Sequence, residues 1–463
     1  VRTAIINSDI EFPQRRITVN LAPADVPKEG SCYDLPIAVG IVSVEMGFEI
    51  PESSLFFGEL SLDGALRHTK GALLAALYAR ERGVKNIFLP LASSNEASVV
   101  SGVNVIGVKD LNELLAHLTG RDLIKPVNYI VPQQDEYLQA EFDMAEIIGQ
   151  EQAKRALEIA AAGGHNCLMV GSPGAGKTMM ARALPGILPP LCEKESLEVT
   201  KIYSVAGKIP AGGSLVRVRP FRSPHHTISQ IGLTGGGTRP QPGEISLAHR
   251  GVLFLDEFNE FPRSVVEALR QPMEDGSLTI SRSKEQVTYP CRFVLVASAN
   301  PCPCGYMQHP KRPCSCSARE IERYRKKISG PILDRIDLHL EVPVVDVEEL
   351  SKNHDVSALA VESAKIREKV IVARCVQQER FKNDTICVNS EMKNKQINKY
   401  CKFTTDVRDV FLTTAKRYNL SARSYFKMIK VARTIADLDS SPQIKATHAL
   451  EAIQYRPKVK EEK

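Results

Sequence analysis

The sequence has no apolar run near the roughly 18 residues that a membrane-spanning helix requires, and the stretch Leu35 to Phe48 is broken by Gly40, Glu45 and Gly47. This reading excludes a membrane protein. After Val1 the chain continues as charged, strand-like sequence with neither a basic n-region nor an apolar h-region, so no secretory signal is expected. No internal repeat or low-complexity tract stands out. The 11 cysteines lack the regular spacing of a disulfide framework, which fits a reducing compartment, with the cytoplasm as the default. The net charge of +6 is small for 463 residues and permits a nucleic-acid partner without demanding one.

What is present is the composition of a soluble globular protein, 43% hydrophobic and 25% charged, at a length of 463 residues that exceeds a single core. Residues 1–120 alternate short β-rich runs (RITVNLAP, NIFLPLA, VNVIGV) with helical patterns over Asp34 to Met46, Gly71 to Arg82 and Leu111 to Leu118. That predicts an α/β domain. Residues 121–143 carry two prolines and little periodicity, as a linker does. Residues 144–345 hold apolar strands separated by helical stretches, the pattern of a parallel sheet with crossover helices. Residues 346–463 read as helices over Ser363 to Phe381, Thr405 to Tyr418, Ser421 to Leu438 and Lys445 to Tyr455, ending in a frayed tail.

The segment GSPGAGKT fits GxxxxGK[ST] and lies between a short apolar strand, His165 to Val170, and a helical start at Met179. A strand, a glycine-rich turn and a helix make a phosphate cradle. Gly171, Ser172, Pro173, Gly174, Ala175, Gly176, Lys177, Thr178 and Met179 are its expected nucleotide-binding residues, with Lys177 on the β and γ phosphates and Thr178 on Mg²⁺. In GVLFLDEFNE, Asp256 and Glu257 emerge at the carboxyl end of a buried strand, where open α/β sheets bind ligands. Asp256 would hold Mg²⁺ and Glu257 would polarise the attacking water. The strand RFVLVASAN ends on Asn300, placed to orient that water. In SGPILDRIDLHLEV, Arg335 is either a clamp on a transferring phosphoryl group or a structural salt-bridge partner. Arg423, at the start of a helix, is a second candidate to reach ATP from a helical lid.

Cys302, Cys304, Cys314 and Cys316 form two CxC pairs in PCPCGYMQHPKRPCSC, a loop able to present four thiolates to a structural Zn²⁺, with His309 as an alternative ligand; the competing reading is a loop of free thiols. Two elements are candidates for touching a polymer. One is the glycine-rich insertion Phe221 to Glu244, with Arg222, His225, His226 and Arg239. The other is the hairpin LTISRSKEQVTYP, whose tip would present Arg282 and Lys284 to DNA phosphates. The basic helix Ala318 to Lys327 belongs either with them or at a subunit interface.

The strings FRSPHHTIS, GGGTRPQPGEISLAHRGVLFLDE, ALRQPMEDGSLTISR, SGPILDRIDLHLEVP and LSARSYFKMIKVARTIADL resemble the magnesium-chelatase-like AAA+ ATPases of the ComM/YifB group, over nearly the whole chain. The resemblance implies a P-loop AAA+ parallel-sheet domain followed by a helical lid of the magnesium chelatase carboxy-terminal type. It implies a homo-hexameric ring with ATP at subunit interfaces, Lys177 and Thr178 as Walker A, Asp256 and Glu257 as Walker B, and Asn300 as the first sensor. By the same resemblance Arg335 is the trans-acting arginine finger, Arg423 the second sensor, and Ile148 and Gly149 lie against adenine. The expected activity is that of an ATP-driven motor on single-stranded or branched DNA, similar to ComM-type helicases that promote branch migration during natural transformation. The alternative is a chaperone-like ATPase that remodels a protein partner, as the magnesium chelatase motor subunit does.

The amino-terminal domain is similar to the peptidase domain of Lon, and differs from it where the chemistry resides. PKEGSCYD puts Cys32 at the nucleophile position, and GELSLDGALRHTKGALLAA puts Leu73 where Lon has its general-base lysine. A nucleophile needs an adjacent base, so the domain is expected to be non-catalytic, with Lys70, three residues away, as the substitute base only if that stretch is helical. Family members begin with one or two strands ahead of VRTAIINS, so a truncated start is expected.

Overall fold

Two units make up the computed structural model, which describes residues 1–22, 28, 30–128, 141–237, 240–281, 286–307, 309–345 and 356–457. The first unit is Val1–Gln134 with Cys192–Arg217, and the second is Asp135–Leu191 with Val218–Lys463.

The first unit is built on a parallel three-stranded sheet of β1 (Ser54–Phe56), β2 (Asn86–Pro90) and β3 (Asn104–Val108), in that order. Successive side chains of a strand face opposite sides, and here both sides are covered. Phe88, Ile106 and Val108 pack with Leu35, Val39 and Val42 of the helix Asp34–Met46 and with Leu111 and Leu114 of the helix Leu111–Leu118. Ile87, Leu89 and Val105 pack with Leu73, Ala76 and Leu77 of the helix Ala72–Glu81. The helix Glu193–Val205 joins this unit through Ser204, whose hydroxyl donates to the buried Glu96 carboxylate at 2.5 Å. The Gly212 N–H donates to Ala92 O at 2.8 Å.

The second unit carries a five-stranded, wholly parallel sheet. Its strands are β4 (Cys167–Gly171), β5 (Phe221–Arg222), β6 (Val252–Leu255), β7 (Val294–Ala299) and β8 (Leu338–Val342), arranged β8-β4-β7-β6-β5. Near-continuous apolar strands are what a sheet buried on both faces requires. On one face Met169, Phe254 and Val296 share a core with the helix Glu151–Gly163 and the carboxy-terminal helices, through Phe411, Ile429 and Ala436. On the other, Leu253, Leu255 and Leu295 pack with Phe258, Val265 and Leu269.

One expectation is revised. RITVNLAP enters no ladder among the described residues, and Ile17, Val19 and Leu21 remain 38%, 49% and 41% exposed. Within residues 144–345, the segment Cys192–Arg217 packs with the first unit. The helices from Val356 onward share a core with the parallel sheet. The hairpin strands Ser277–Ser281 and Gln286–Pro290 pair antiparallel as expected, but its tip, with Arg282 and Lys284, lies outside the described residues, as does Arg239. Among the described residues no helix is long and apolar enough to cross a membrane.

Candidate nucleotide site

Because all five strands of the second unit's parallel sheet run the same way, the ends of β4, β6 and β7 meet along one sheet edge. Gly171, Asp256 and Asn300 stand there, at the side where parallel sheets hold ligands. Between Gly171 and the helix Lys177–Ala183 the backbone turns through Gly174 and Gly176, at φ +79° and +82°. Those left-handed conformations are available to glycine at little cost and turn the loop's N–H groups inward.

Lys177 is buried inside this turn. Its ammonium donates to Gly171 O at 2.6 Å, to Ser172 O at 3.0 Å and to Asn300 Oδ1 at 3.3 Å. Burial pushes the ammonium below its ordinary range, with Asp256 and Glu257 pulling the other way. The Thr178 hydroxyl donates to Asp256 Oδ2 at 2.8 Å, and the Ser298 hydroxyl donates to the other oxygen of the same carboxylate. A hydroxyl beside a fixed carboxylate is a ligand pair for Mg²⁺ with room for water and phosphate oxygens.

Glu257 adopts φ +52°, an uncommon conformation for a residue with a Cβ, and donates its N–H to Asp256 Oδ1 at 3.0 Å. Its carboxylate is half exposed and lies 3.3 Å from His226 Nδ1. The sheet edge thus brings together two hydrogen-bonded pairs, Lys177 with Asn300 and Thr178 with Asp256, with Glu257 next in the chain. Ile148 and Gly149 precede the helix Glu151–Gly163 in a turn where Gly149 has φ +65°.

Arg335 and Arg423 are not hydrogen-bonded to those residues. Arg335 donates to Pro331 O at 2.7 Å and to one oxygen of Glu274, while Arg423 reaches the other oxygen at 2.5 Å. The two arginines and Glu274 are a second, separate cluster. The two guanidinium groups hold the Glu274 carboxyl below its usual range, chiefly through the Arg335 hydrogen bond.

Sequence reasoning did not single out Ser298, Glu274 or the pairing of His226 with Glu257. Ser298 had a legible signal, since it stands two residues before Asn300 on the same strand. Glu274 had none. Of the side chains expected to meet a polymer, Arg222 instead forms a part-buried pair with Glu244 at 2.5 Å, and His226 turns to Glu257.

Family models of the magnesium chelatase subunit ChlI match residues 143–350, those of subunit ChlI of Mg-chelatase match residues 1–93, and those of the ChlI carboxy-terminal region match residues 360–456. The chain is 42% identical to the uncharacterized protein YifB of Salmonella typhimurium over 98% of its own length and 88% of that protein. It is 41% identical to the competence protein ComM of Haemophilus influenzae over 99% of its length and 89% of that protein. The chain belongs to the ComM/YifB family of magnesium-chelatase-like AAA+ ATPases. A more distant similarity, 28% over 35% of the chain, links this ComM/YifB member to the magnesium-chelatase 38 kDa subunit of Rhodobacter capsulatus, half of which is covered. Membership makes it an ATP-hydrolysing enzyme.

This ComM/YifB chain also gathers four thiols. Cys302, Cys304, Cys314 and Cys316 have their sulfurs all within 4.8 Å of one another, with Cys302 Sγ 3.3 Å from Cys304 and 3.7 Å from Cys314. A tetrahedral ion with metal–sulfur bonds of about 2.3 Å needs sulfurs about 3.8 Å apart, so the donor set fits. Backbone N–H groups of Tyr306 and Ser315 pull the Cys304 thiol down to about 5, whereas burial pushes Cys302 up. His309 is not in the cluster: its Nδ1 accepts from the amides of Lys311 and Arg312, each at 3.1 Å.

In the first unit, Cys32 sits in a short turn of helix, Ser31–Tyr33, and burial raises its thiol. Leu73 is fully buried and its N–H donates to Glu96 at 3.1 Å. Lys70 lies before Gly71, outside the helix Ala72–Glu81, so it is not placed one helical turn from Leu73.

Proposed function

We propose that this chain is the subunit of a homo-hexameric ATP-driven motor that acts on single-stranded or branched DNA and promotes branch migration, in the manner of ComM-type helicases. The observation that carries the reading is similarity to the competence protein ComM over 99% of the chain, joined to a nucleotide cradle in which one sheet edge assembles Lys177, Thr178, Asp256 and Asn300. In this reading ATP lies on Gly171 to Met179, with its base toward Ile148 and Gly149. Thr178 and Asp256 hold Mg²⁺, which when bound neutralises phosphate charge. Lys177 donates to the terminal phosphates, Glu257 takes a proton from the attacking water, and Asn300 orients that water. Arg335 serves the site of a neighbouring copy as the finger, and Arg423 reaches ATP from the helical lid as the second sensor. Cys302, Cys304, Cys314 and Cys316 hold a structural Zn²⁺. The first unit is a Lon-like scaffold without peptidase chemistry, and the helices after residue 346 act as the lid. The protein works in the cytoplasm.

Similarity to the magnesium-chelatase 38 kDa subunit favours a second reading, a chaperone-like ATPase that remodels a protein. The two readings share every nucleotide residue and differ in the polymer. The test is ATP turnover with and without single-stranded and forked DNA over a salt series. DNA binding that weakens steeply with salt, accompanied by stimulated turnover, is the expected result, because binding to phosphates releases counterions. Turnover and affinity indifferent to DNA would leave the protein-remodelling reading.

A further inference from the structure

The four-cysteine loop is an extension of the nucleotide site's own strand. Asn300, which accepts from Lys177, is followed within two residues by Cys302, the buried member of the thiol set. The Gly305 N–H donates to Cys302 O at 3.0 Å, closing a turn in which Gly305 has φ +82°. This turn rests on the phosphate loop: a Cβ at Gly305 would stand 2.7 Å from Pro173 Cδ and 2.8 Å from Cγ. Only a glycine can occupy that place, both for its backbone angle and for its distance from the proline ring.

The loop from Cys302 to Cys316 carries two prolines between Tyr306 and Cys314, and its described residues form no regular element. Its shape therefore depends on what holds the four sulfurs together. The four cysteines are not joined to one another covalently, whereas a tetrahedral ion would tie both ends of the loop at one point. The consequence reaches Pro173, because Gly305, which touches it, lies between two of the ligands, Cys304 and Cys314.

We propose that Zn²⁺ at Cys302, Cys304, Cys314 and Cys316 braces the phosphate loop through the Gly305–Pro173 contact, so that nucleotide affinity depends on occupancy of the thiol site. The inference rests on the nucleotide-binding reading of Gly171 to Met179. It adds a coupling between two sites, and such coupling is reciprocal: zinc tightens nucleotide, and nucleotide tightens zinc by the same factor.

The experiment uses the full chain purified without chelator, with zinc measured by elemental analysis and binding of a fluorescent ADP analogue measured by titration. The expected result is about one zinc per chain, with nucleotide affinity falling by about 5- to 100-fold when zinc is stripped and returning when zinc is restored. Saturating ADP should slow zinc transfer to a chromophoric chelator. Gly305→Ala leaves all four ligands in place, so it should keep zinc and still weaken nucleotide binding; Cys314→Ser should lose both. Should Cys314→Ser fail to fold, the strip-and-restore titration on the wild-type chain decides. Protein that neither carries nor takes up zinc overturns the proposal, as does stripped protein that binds ADP as tightly as loaded protein; in both cases the nucleotide-binding reading stands. Zinc-loaded wild-type protein that binds no ADP overturns that reading, and the brace with it.

Discussion

Arg335 and Arg423 share a single carboxylate, that of Glu274, each bonded to a different oxygen. Charge-assisted bonds of this kind fix the direction of a guanidinium group as well as its position. If both arginines serve a transferring phosphoryl group, Glu274 is a positioning residue for both. Glu274→Gln keeps the shape and loses the charge. Its expected effect is a drop of about tenfold in turnover, one charge-assisted bond's worth, with nucleotide affinity unchanged. Equal turnover in the variant and the wild type would show that the carboxylate does not set the arginines.

Lys177→Ala removes the ammonium from the phosphate cradle and should weaken ATP binding. Glu257→Gln removes only a proton acceptor, so binding should persist while turnover falls by about 10² to 10⁴. Equilibrium binding of a nucleotide analogue and steady-state phosphate release separate the two. Wild-type turnover in Glu257→Gln would overturn the Walker B assignment.

The parts of the fold that were legible were those in which local pattern and tertiary burial agree. The helices Asp34–Met46 and Leu111–Leu118 have the bounds that periodicity predicts. The phosphate loop lies where a strand gives way to a helix. RITVNLAP has the alternation of a strand, but a strand also needs a partner's N–H and C=O groups, and alternation supplies none. The union of Cys192–Arg217 with the amino-terminal unit rests on contacts such as Ser204 to Glu96, between segments too far apart in sequence for any window to register. The same holds for Glu274. An isolated glutamate in PMEDGS carries no motif, and its role comes from two arginines that the fold delivers from elsewhere.

Acid should destabilise the second unit through His339 on β8. Burial, with Lys427 adding to it, pushes the imidazole down to about 4 from an ordinary 6.5. The fold therefore holds the ring neutral where the unfolded chain would protonate it. The stability this contributes is complete above pH 6.5 and is lost as pH falls toward 4. The size is about 1–3 kcal/mol, the lower end reflecting a ring that is part-exposed. Neighbouring Asp337 does not obscure the window. Its burial would raise it, but Lys427 and His165 hold it well below its ordinary 3.8, so it titrates only at lower pH. His339→Gln should flatten the fall in thermal midpoint between pH 7 and pH 5. Parallel profiles for the variant and the wild type would rule His339 out.

The first unit should cleave no peptide bond. Cys32 has its thiol raised by burial, which lowers the thiolate fraction a nucleophile needs. Where the Lon resemblance would place a general base stands Leu73, sealed in the core. Incubation with an unfolded protein substrate and ATP should give no fragments. Cleavage that disappears in Cys32→Ala would restore a peptidase reading.

Arg335→Ala should nearly abolish turnover, because an arginine supplied to a transferring phosphoryl group is worth roughly 10³ to 10⁵ in rate. Nucleotide binding should survive, since Lys177, Thr178 and Asp256 stay in place. Action on a neighbouring copy has a sharper consequence. A ring that mixes Arg335→Ala chains with Lys177→Ala chains contains some interfaces in which an intact phosphate loop meets an intact arginine. Those interfaces should hydrolyse ATP although neither variant does so alone, provided subunits exchange and sites fire independently. Mixed rings, verified by differently tagged chains, that recover no activity would mean that the arginine acts within its own chain or that the ring fires in concert. An Arg335→Ala protein with unchanged turnover would leave the arginine as no more than a structural partner of Glu274.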